Sequence, residues 1–257
     1  MAPAELCVSR SLGNKMSEKD HNEFADRISD ELDRYFNRGS YFINEIRHAY
    51  PLVWNVIGEA ITRSNQVMRR VNEHYAVTPS EETRRLLGLW GSVRRYQINS
   101  ILEIFSRNLD EGLAILRMAT ELVRTIKAIS SERGLYRSWV GGKDLHAKFD
   151  LNDSVEKTIF DTYKSCTNYG THGHKTSAVF LEDTFPGKEP SLAGVATVAS
   201  YWFTSFAPIH QLSLKCVAVD APDVLLECDL TLMVIAAKLL ERVQNDPFFI
   251  MSRKSDD

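Results

Sequence analysis

The feature of this sequence that most constrains its fold is a pair of long helical patterns joined by a short corner. From Glu81 to Arg107 apolar residues recur at helical spacing over about seven turns, with Ser80 as the expected N-cap. A second helical pattern runs from about Asp110 to Ser130, and the segment Asn108–Gly112 separates the two. Because so short a connection leaves little room between helices, the two are predicted to be antiparallel neighbours.

Further helical patterns lie on both sides of this pair. Apolar residues at four-residue intervals predict an amphipathic helix from Glu18 to Phe36, which Arg38-Gly39-Ser40 is expected to end. After Pro51 another helix is predicted to reach His74. A last amphipathic helix is predicted from Pro222 to about Val243, with acidic residues in its first half.

The middle of the chain is less regular. Glu132–Gly142 is predicted to be a loop, and Asn152 or Asp153 is expected to cap the helix that follows. That helix is predicted to end at Gly170, because glycine accepts a positive φ without a Cβ penalty. Thr176–Thr184 is compatible with either a short strand or an extended loop.

One stretch raises the question of a membrane span. Ser191–Leu214 contains no Asp, Glu, Lys or Arg, and such a run is long enough to cross a bilayer. It also contains serine, threonine, glutamine, histidine and proline, a composition poorly suited to facing lipid. We therefore predict a buried bundle helix and no membrane span.

Length and composition indicate one mostly α-helical domain. The 257 residues are 44% apolar and 25% charged, which is near the globular average and argues against disorder. No linker or repeat divides the chain. We expect a bundle of about six to eight helices over residues 16–251, with a disordered leader at 1–15 and a frayed tail at 252–257.

Charge and cysteine usage limit the partners and the compartment. The net charge of −3 predicts no large basic face, although a small positive groove can occur on an acidic protein. Met1–Lys15 lacks the apolar core of a signal peptide, and the four cysteines are far apart and form no CxxC pair. Reduced thiols in the cytoplasm are the simplest interpretation.

The polar face of the second long helix permits two interpretations. On a helical wheel, Arg117, Glu121 and Arg124 gather opposite an apolar arc that is predicted to include Leu116 and Met118. This face is either a solvated surface with ion pairs, or a polar centre covered by another helix. Periodicity alone does not decide between them.

The segment Cys166–His174 is where unusual residues crowd together. Cys166, His172 and His174 could supply zinc ligands, but a closed site needs a fourth ligand and no nearby Cys or His pair provides one. Activation of Cys166 by His172 is also conceivable, yet a thiol near the end of a helix lacks the positive dipole that lowers its pKa. The common nucleotide, zinc-protease and hydrolase motifs are absent, so no metal and no cofactor are predicted.

Two stretches resemble a known family. Thr167-Asn168-Tyr169-Gly170-Thr171-His172-Gly173 resembles the helix-ending Arg-Asn-x-x-Gly-Thr-x-His-Gly segment of abortive-infection proteins of the HEPN superfamily. The helix around Leu116–Arg124 is similar to the arginine-and-glutamate helix that precedes such a histidine in bacterial HEPN-like families. The resemblance covers roughly Leu86 to His174. It implies a helical bundle, a bacterial defence or toxin-type role, and often a metal-independent endoribonuclease acting as a homodimer on RNA.

The resemblance also implies roles for individual residues. His172 would be the base, Arg117 the phosphate clamp held by Glu121, and Asn168 a hydrogen-bonding partner. HEPN ribonucleases carry an Arg-x4–6-His spacing, whereas residues 165–167 contain no arginine. The literal match from Arg69 to His74 is expected by chance. The alternative is therefore a non-catalytic HEPN-like module that dimerises or binds a protein partner or ligand.

Overall fold

The structure, a computed structural model, describes residues 39–76, 80–132, 135–170 and 191–253. Within these residues it contains nine helices and no strand, so the predicted all-α helical bundle is confirmed. Six correspond to helices predicted from the sequence, and three, at residues 39–49, Leu135–Val140 and Pro247–Arg253, were not predicted. In chain order they are α1 (residues 39–49), α2 (Pro51–Tyr75), α3 (Glu81–Phe105), α4 (Leu109–Ser131), α5 (Leu135–Val140), α6 (Ser154–Gly170), α7 (Leu192–Val217), α8 (Pro222–Asn245) and α9 (Pro247–Arg253).

The predicted pair of long helices is α3 and α4, which pack together more extensively than any other two helices. As expected, Ser80 caps α3, since its Oγ accepts a hydrogen bond from the Thr83 backbone N at 3.0 Å. The corner itself is made by Arg107, whose φ of 66° is in the left-handed region. Gly112 lies inside α4 and not in the corner, so the observed turn between α3 and α4 is shorter than the predicted segment Asn108–Gly112.

One expectation about breaks in the helices was wrong, and another is untested. The end of the predicted helix Glu18–Phe36 lies outside the described residues, and Gly39 and Ser40 are themselves helical, as the first described residues of α1. Phe42 and Ile46 are buried four residues apart on this helix, and their packing outweighs the roughly 1 kcal/mol cost of a helical glycine. The predicted loop Glu132–Gly142 contains the short helix α5.

Other expected boundaries are confirmed. Asp153 caps α6, because its Oδ1 accepts hydrogen bonds from the backbone N of Val155 at 2.8 Å and of Glu156 at 3.0 Å. The helix after Pro51 ends at Tyr75, one residue beyond the predicted His74.

The uncharged stretch forms α7 at the centre of the bundle. It packs against α3, α4, α6, α8 and α9, and it buries large side chains such as Trp202, Phe203 and Phe206. The predicted buried bundle helix is thus what the structure contains. By length and composition alone, α7 is also the one helix among the described residues that could cross a membrane.

Several sequence predictions fall on residues that the structure does not describe. These are the leader at residues 1–15, the helix Glu18–Phe36, the strand or loop Thr176–Thr184, His172 and His174, and residues 254–257 of the predicted frayed tail. They stay predictions. The first two residues of that tail, Ser252 and Arg253, were wrongly predicted to be frayed, because they are the end of α9.

Candidate functional site

The polar face of α4 is covered in part by α6. Arg117 Nε lies 2.9 Å from Glu121 Oε1, and the two side chains are 28% and 32% exposed. The two helices pack side by side and antiparallel, because Arg117 lies near Tyr163 late in α6, whereas Lys127 pairs with Glu156 early in it. The structure is intermediate between the two interpretations left open by periodicity: α6 covers part of the face, and the ion pair keeps about a third of its side-chain surface in solvent.

The arc of α4 opposite this face is buried and apolar, but one residue was wrongly assigned to it. Leu116 is fully buried, but Met118, assigned to the same arc, is 45% exposed. At about 100° per residue, position 118 is about 200° from position 116, which turns its side chain away from the core.

An aromatic side chain of α6 connects the two arginines of the face. The centre of the Tyr163 ring lies 5.7 Å from the Arg117 guanidinium carbon and 5.5 Å from that of Arg124. The Arg124 guanidinium carbon is also 5.8 Å from the centre of the Phe149 ring. At these distances cation–π attraction stabilises both guanidinium groups beside the aromatic rings.

The segment between α5 and α6 is fixed along α4 by hydrogen bonds from three α4 side chains to backbone carbonyls. Arg124 Nε donates to Ala147 O at 3.1 Å, and Thr125 Oγ1 donates to Leu145 O at 3.0 Å. Lys127 Nζ donates to Lys148 O at 3.1 Å. This anchoring places Phe149 against Phe160 of α6, with ring centres 6.4 Å apart.

A pocket of about 440 Å³ lies between this segment and α6. Its described lining contains two cations, four apolar or aromatic side chains and no carboxylate. The pocket is therefore locally positive on a chain whose net charge is −3. The lining residues are Arg124, Lys148, Phe149, Leu151, Phe160 and Tyr163. We call the Arg117–Glu121 pair together with this pocket the α4–α6 face.

The structure argues against a Cys166 nucleophile, which the sequence had already disfavoured. Cys166 is fully buried, and burial raises the pKa of its thiol to about 12. A group that is protonated and inaccessible cannot act as a nucleophile. Among the described residues, no three His, Cys, Asp or Glu side chains come together as a metal site.

The structure brings together some of the predicted site residues. Arg117 and Glu121 form the expected pair, and α6, which carries Asn168, packs beside them. Asn168 is half-buried in the last turn of α6. His172 follows α6 by two residues and lies outside the described part of the chain, so its distance from Arg117 stays a prediction.

Sequence reasoning missed the aromatic and basic residues that complete this face. Phe160 and Tyr163 lie in a stretch that the sequence predicts only to be a helix. Lys148 and Phe149 belong to no recognised motif, and they reach the face because α4 side chains bind the backbone around them. No signal in the sequence alone identifies these tertiary contacts.

Comparison with known proteins does not assign this chain to a family. No family model, no curated protein and no solved structure matches this chain.

Proposed function

We propose that this protein binds RNA on the α4–α6 face and cleaves it without a metal ion, as a HEPN-like protein of a bacterial defence or toxin-type system. The observation that carries the proposal is the placement of two arginines around Tyr163 on the helix that leads to His172. RNA recognition commonly combines cations for the phosphates with aromatic or guanidinium planes for unstacked bases.

The pocket of the α4–α6 face supports the binding part of the proposal. Arg124 and Lys148 supply positive charge, while Phe149, Phe160 and Tyr163 supply aromatic surface. Stacking on aromatic side chains tolerates any base, since each base has a π face. The expected ligand is therefore a single-stranded segment bound with little sequence preference.

The cleavage part assigns roles to the residues of the family resemblance. His172 takes the proton of a ribose 2′-hydroxyl, and the oxygen attacks the adjacent phosphorus. A 2′,3′-cyclic phosphate forms, and the 5′-oxygen leaves and takes up a proton from solvent. Arg117, oriented by Glu121, stabilises the charge that develops on the phosphorane oxygens, and Asn168 hydrogen-bonds the reacting group.

The proposal is tested by incubating the purified protein with total RNA and with tRNA in the presence of EDTA. His172→Ala and Arg117→Ala are expected to abolish or strongly reduce cleavage. The matched control is Arg63→Gln, because Arg63 Nε pairs with Glu59 Oε1 at 2.8 Å with the same i,i+4 spacing on α2. Cleavage that survives both His172→Ala and Arg117→Ala would refute the site assignment.

A second candidate function, a non-catalytic dimerisation module, is favoured by a separate observation on α8. Five apolar side chains on this helix are exposed at intervals of 4, 3, 4 and 3 residues, the spacing of a coiled-coil seam. They are Leu226, Leu230, Met233, Ala237 and Leu240. We propose that this row, the α8 stripe, packs against the same row of a second copy, because one self-complementary surface suffices for a two-fold dimer.

The two candidate functions predict different results in the same assay. A stable dimer that leaves RNA intact and does not bind it would support the module without catalysis. Cleavage lost in His172→Ala would support the ribonuclease, whatever its oligomeric state.

A further inference from the structure

A second polar pocket lies away from the α4–α6 face, between α2 and α3. Its volume is about 720 Å³, which is within the range of small-molecule sites in proteins. Asn65, Gln66 and Asn72 of α2 give it amide groups that both donate and accept hydrogen bonds. Arg69 of α2 and Arg94 of α3 give it two cations.

Arg94 enters this pocket from the core side of α3. It lies one turn after the buried Trp90 and one turn before the buried Gln97. Its Nε is buried and has no hydrogen-bond partner among the described residues. Burial lowers the pKa of the guanidinium, and no described carboxylate offsets that effect. The side chain therefore carries a partly desolvated charge with no ion-pair partner among the described residues.

His210 of α7 adds a second unused donor near Arg94. Trp90 Nε1 donates to His210 Nδ1 at 2.9 Å, so the neutral ring carries its proton on Nε2. That Nε2 is buried and has no partner among the described residues. The charge of Arg94 lies close enough to lower the pKa of His210, in addition to the larger effect of burial.

Gln97 Oε1 is a buried acceptor that also has no partner among the described residues, so the unpaired donors alone do not require a ligand. A neutral acceptor, however, does not balance the charge of Arg94. Glu73 is the one carboxylate in the described lining, against the two arginines, so the pocket retains one net positive charge. An anion in the pocket would balance the excess positive charge of Arg94 and Arg69.

We propose that the α2–α3 pocket binds the phosphate group of a phosphorylated small molecule, with Arg94 and Arg69 as its cations. Guanidinium groups match the oxygens of phosphate with paired hydrogen bonds. The amides of α2 would contact the remainder of the molecule. This site uses no residue of the α4–α6 face, so it is independent of the proposed RNA cleavage.

The test is isothermal titration of inorganic phosphate, and separately of a sugar phosphate, into the full chain, with sodium chloride at equal ionic strength as the blank. We expect saturable binding of both, tighter for the sugar phosphate. Arg94→Met is expected to weaken it by about tenfold or more, since a charge-assisted bond is lost. Arg95→Met is the matched control, because its side chain is exposed and bonds to Ser92 Oγ at 3.0 Å on the same helix.

A thermal melt separates binding from a purely structural role. Without phosphate, Arg94→Met should melt no lower than the unsubstituted protein, because a charge with no ion-pair partner among the described residues has been removed. If Arg94→Met does not fold, Arg69→Gln at an exposed position of α2 tests the same pocket and should weaken binding several-fold. Absence of saturable phosphate binding, or equal binding in both arginine variants and the Arg95 control, would overturn the proposal.

Discussion

At the scale of single residues, the buried His210 makes stability depend on pH. Burial, with a contribution from the charge of Arg94, lowers the pKa of His210 to about 3. In the unfolded chain the ring titrates near its ordinary value of about 6.5. Below that pH the unfolded state binds more protons than the folded state, so stability falls as the pH falls.

The prediction is a loss of roughly 1.4 kcal/mol per pH unit from this group as the pH falls below about 6. His210→Gln keeps an acceptor for Trp90 Nε1 and removes the titration, so it should lose less stability over the same range. Urea denaturation at pH 7, 6 and 5 measures the difference, because most carboxylates stay ionised there. Equal pH slopes in both proteins would contradict the neutral, buried state of His210.

At the scale of helices, Gly112 sets how closely α3 and α4 approach. A Cβ on Gly112 would lie 2.5 Å from Ile104 Cγ1 and 3.2 Å from the Ser100 carbonyl oxygen. Ser100 Oγ also donates to the Gly112 carbonyl at 2.7 Å. The two helices therefore have no room for a side chain at this position.

Gly112→Ala is expected to lower the free energy of unfolding by about 1–3 kcal/mol, because it forces the helices apart. Gly88→Ala, on α3, is the matched control, since nothing lies within 4 Å of a Cβ there. That control should gain up to about 1 kcal/mol from better helix propensity. Chemical denaturation measures the free energy of unfolding of both variants. An equal effect of the two substitutions would show that close packing of α3 and α4 does not require glycine at position 112.

The same helices show what the sequence could predict and what it could not. Long patterns such as those of α3, α4 and α7 were predictable, because burial of one face repeats at the helical period. The short α5 has no buried residue and left no such pattern. The positions of Phe149 and Tyr163 depend on contacts between segments that are distant in sequence. The site predicted from the sequence therefore did not include these aromatic residues.

At the scale of the whole molecule, the α8 stripe predicts a homodimer. Leu226, Leu230 and Met233 are 65%, 55% and 54% exposed, an apolar row that a monomer would leave in water. Leu230→Glu is expected to convert the dimer to a monomer, since the charge would be buried at the seam. Val219→Glu, at a residue 66% exposed outside the stripe, should leave the dimer intact.

Light scattering coupled to gel filtration measures the mass of each protein. A monomer in the unsubstituted chain, or a dimer that persists in Leu230→Glu, would contradict the proposed interface. The helix α8 packs against α2, α7 and α9, whereas α4 packs against α3, α5, α6 and α7, and α6 packs against α4 and α7. We therefore expect Leu230→Glu to retain the RNA binding of the α4–α6 face.

The central proposal is that the α4–α6 face binds RNA, and the most direct measurement is fluorescence anisotropy with a labelled single-stranded RNA. Tyr163→Ala should weaken binding by about tenfold or more, since stacking of one base contributes about 1–3 kcal/mol. Tyr96→Ala, at a half-buried tyrosine of α3, should bind like the unsubstituted protein. Equal affinities of the two folded variants, or no RNA binding by the unsubstituted protein, would contradict the proposal.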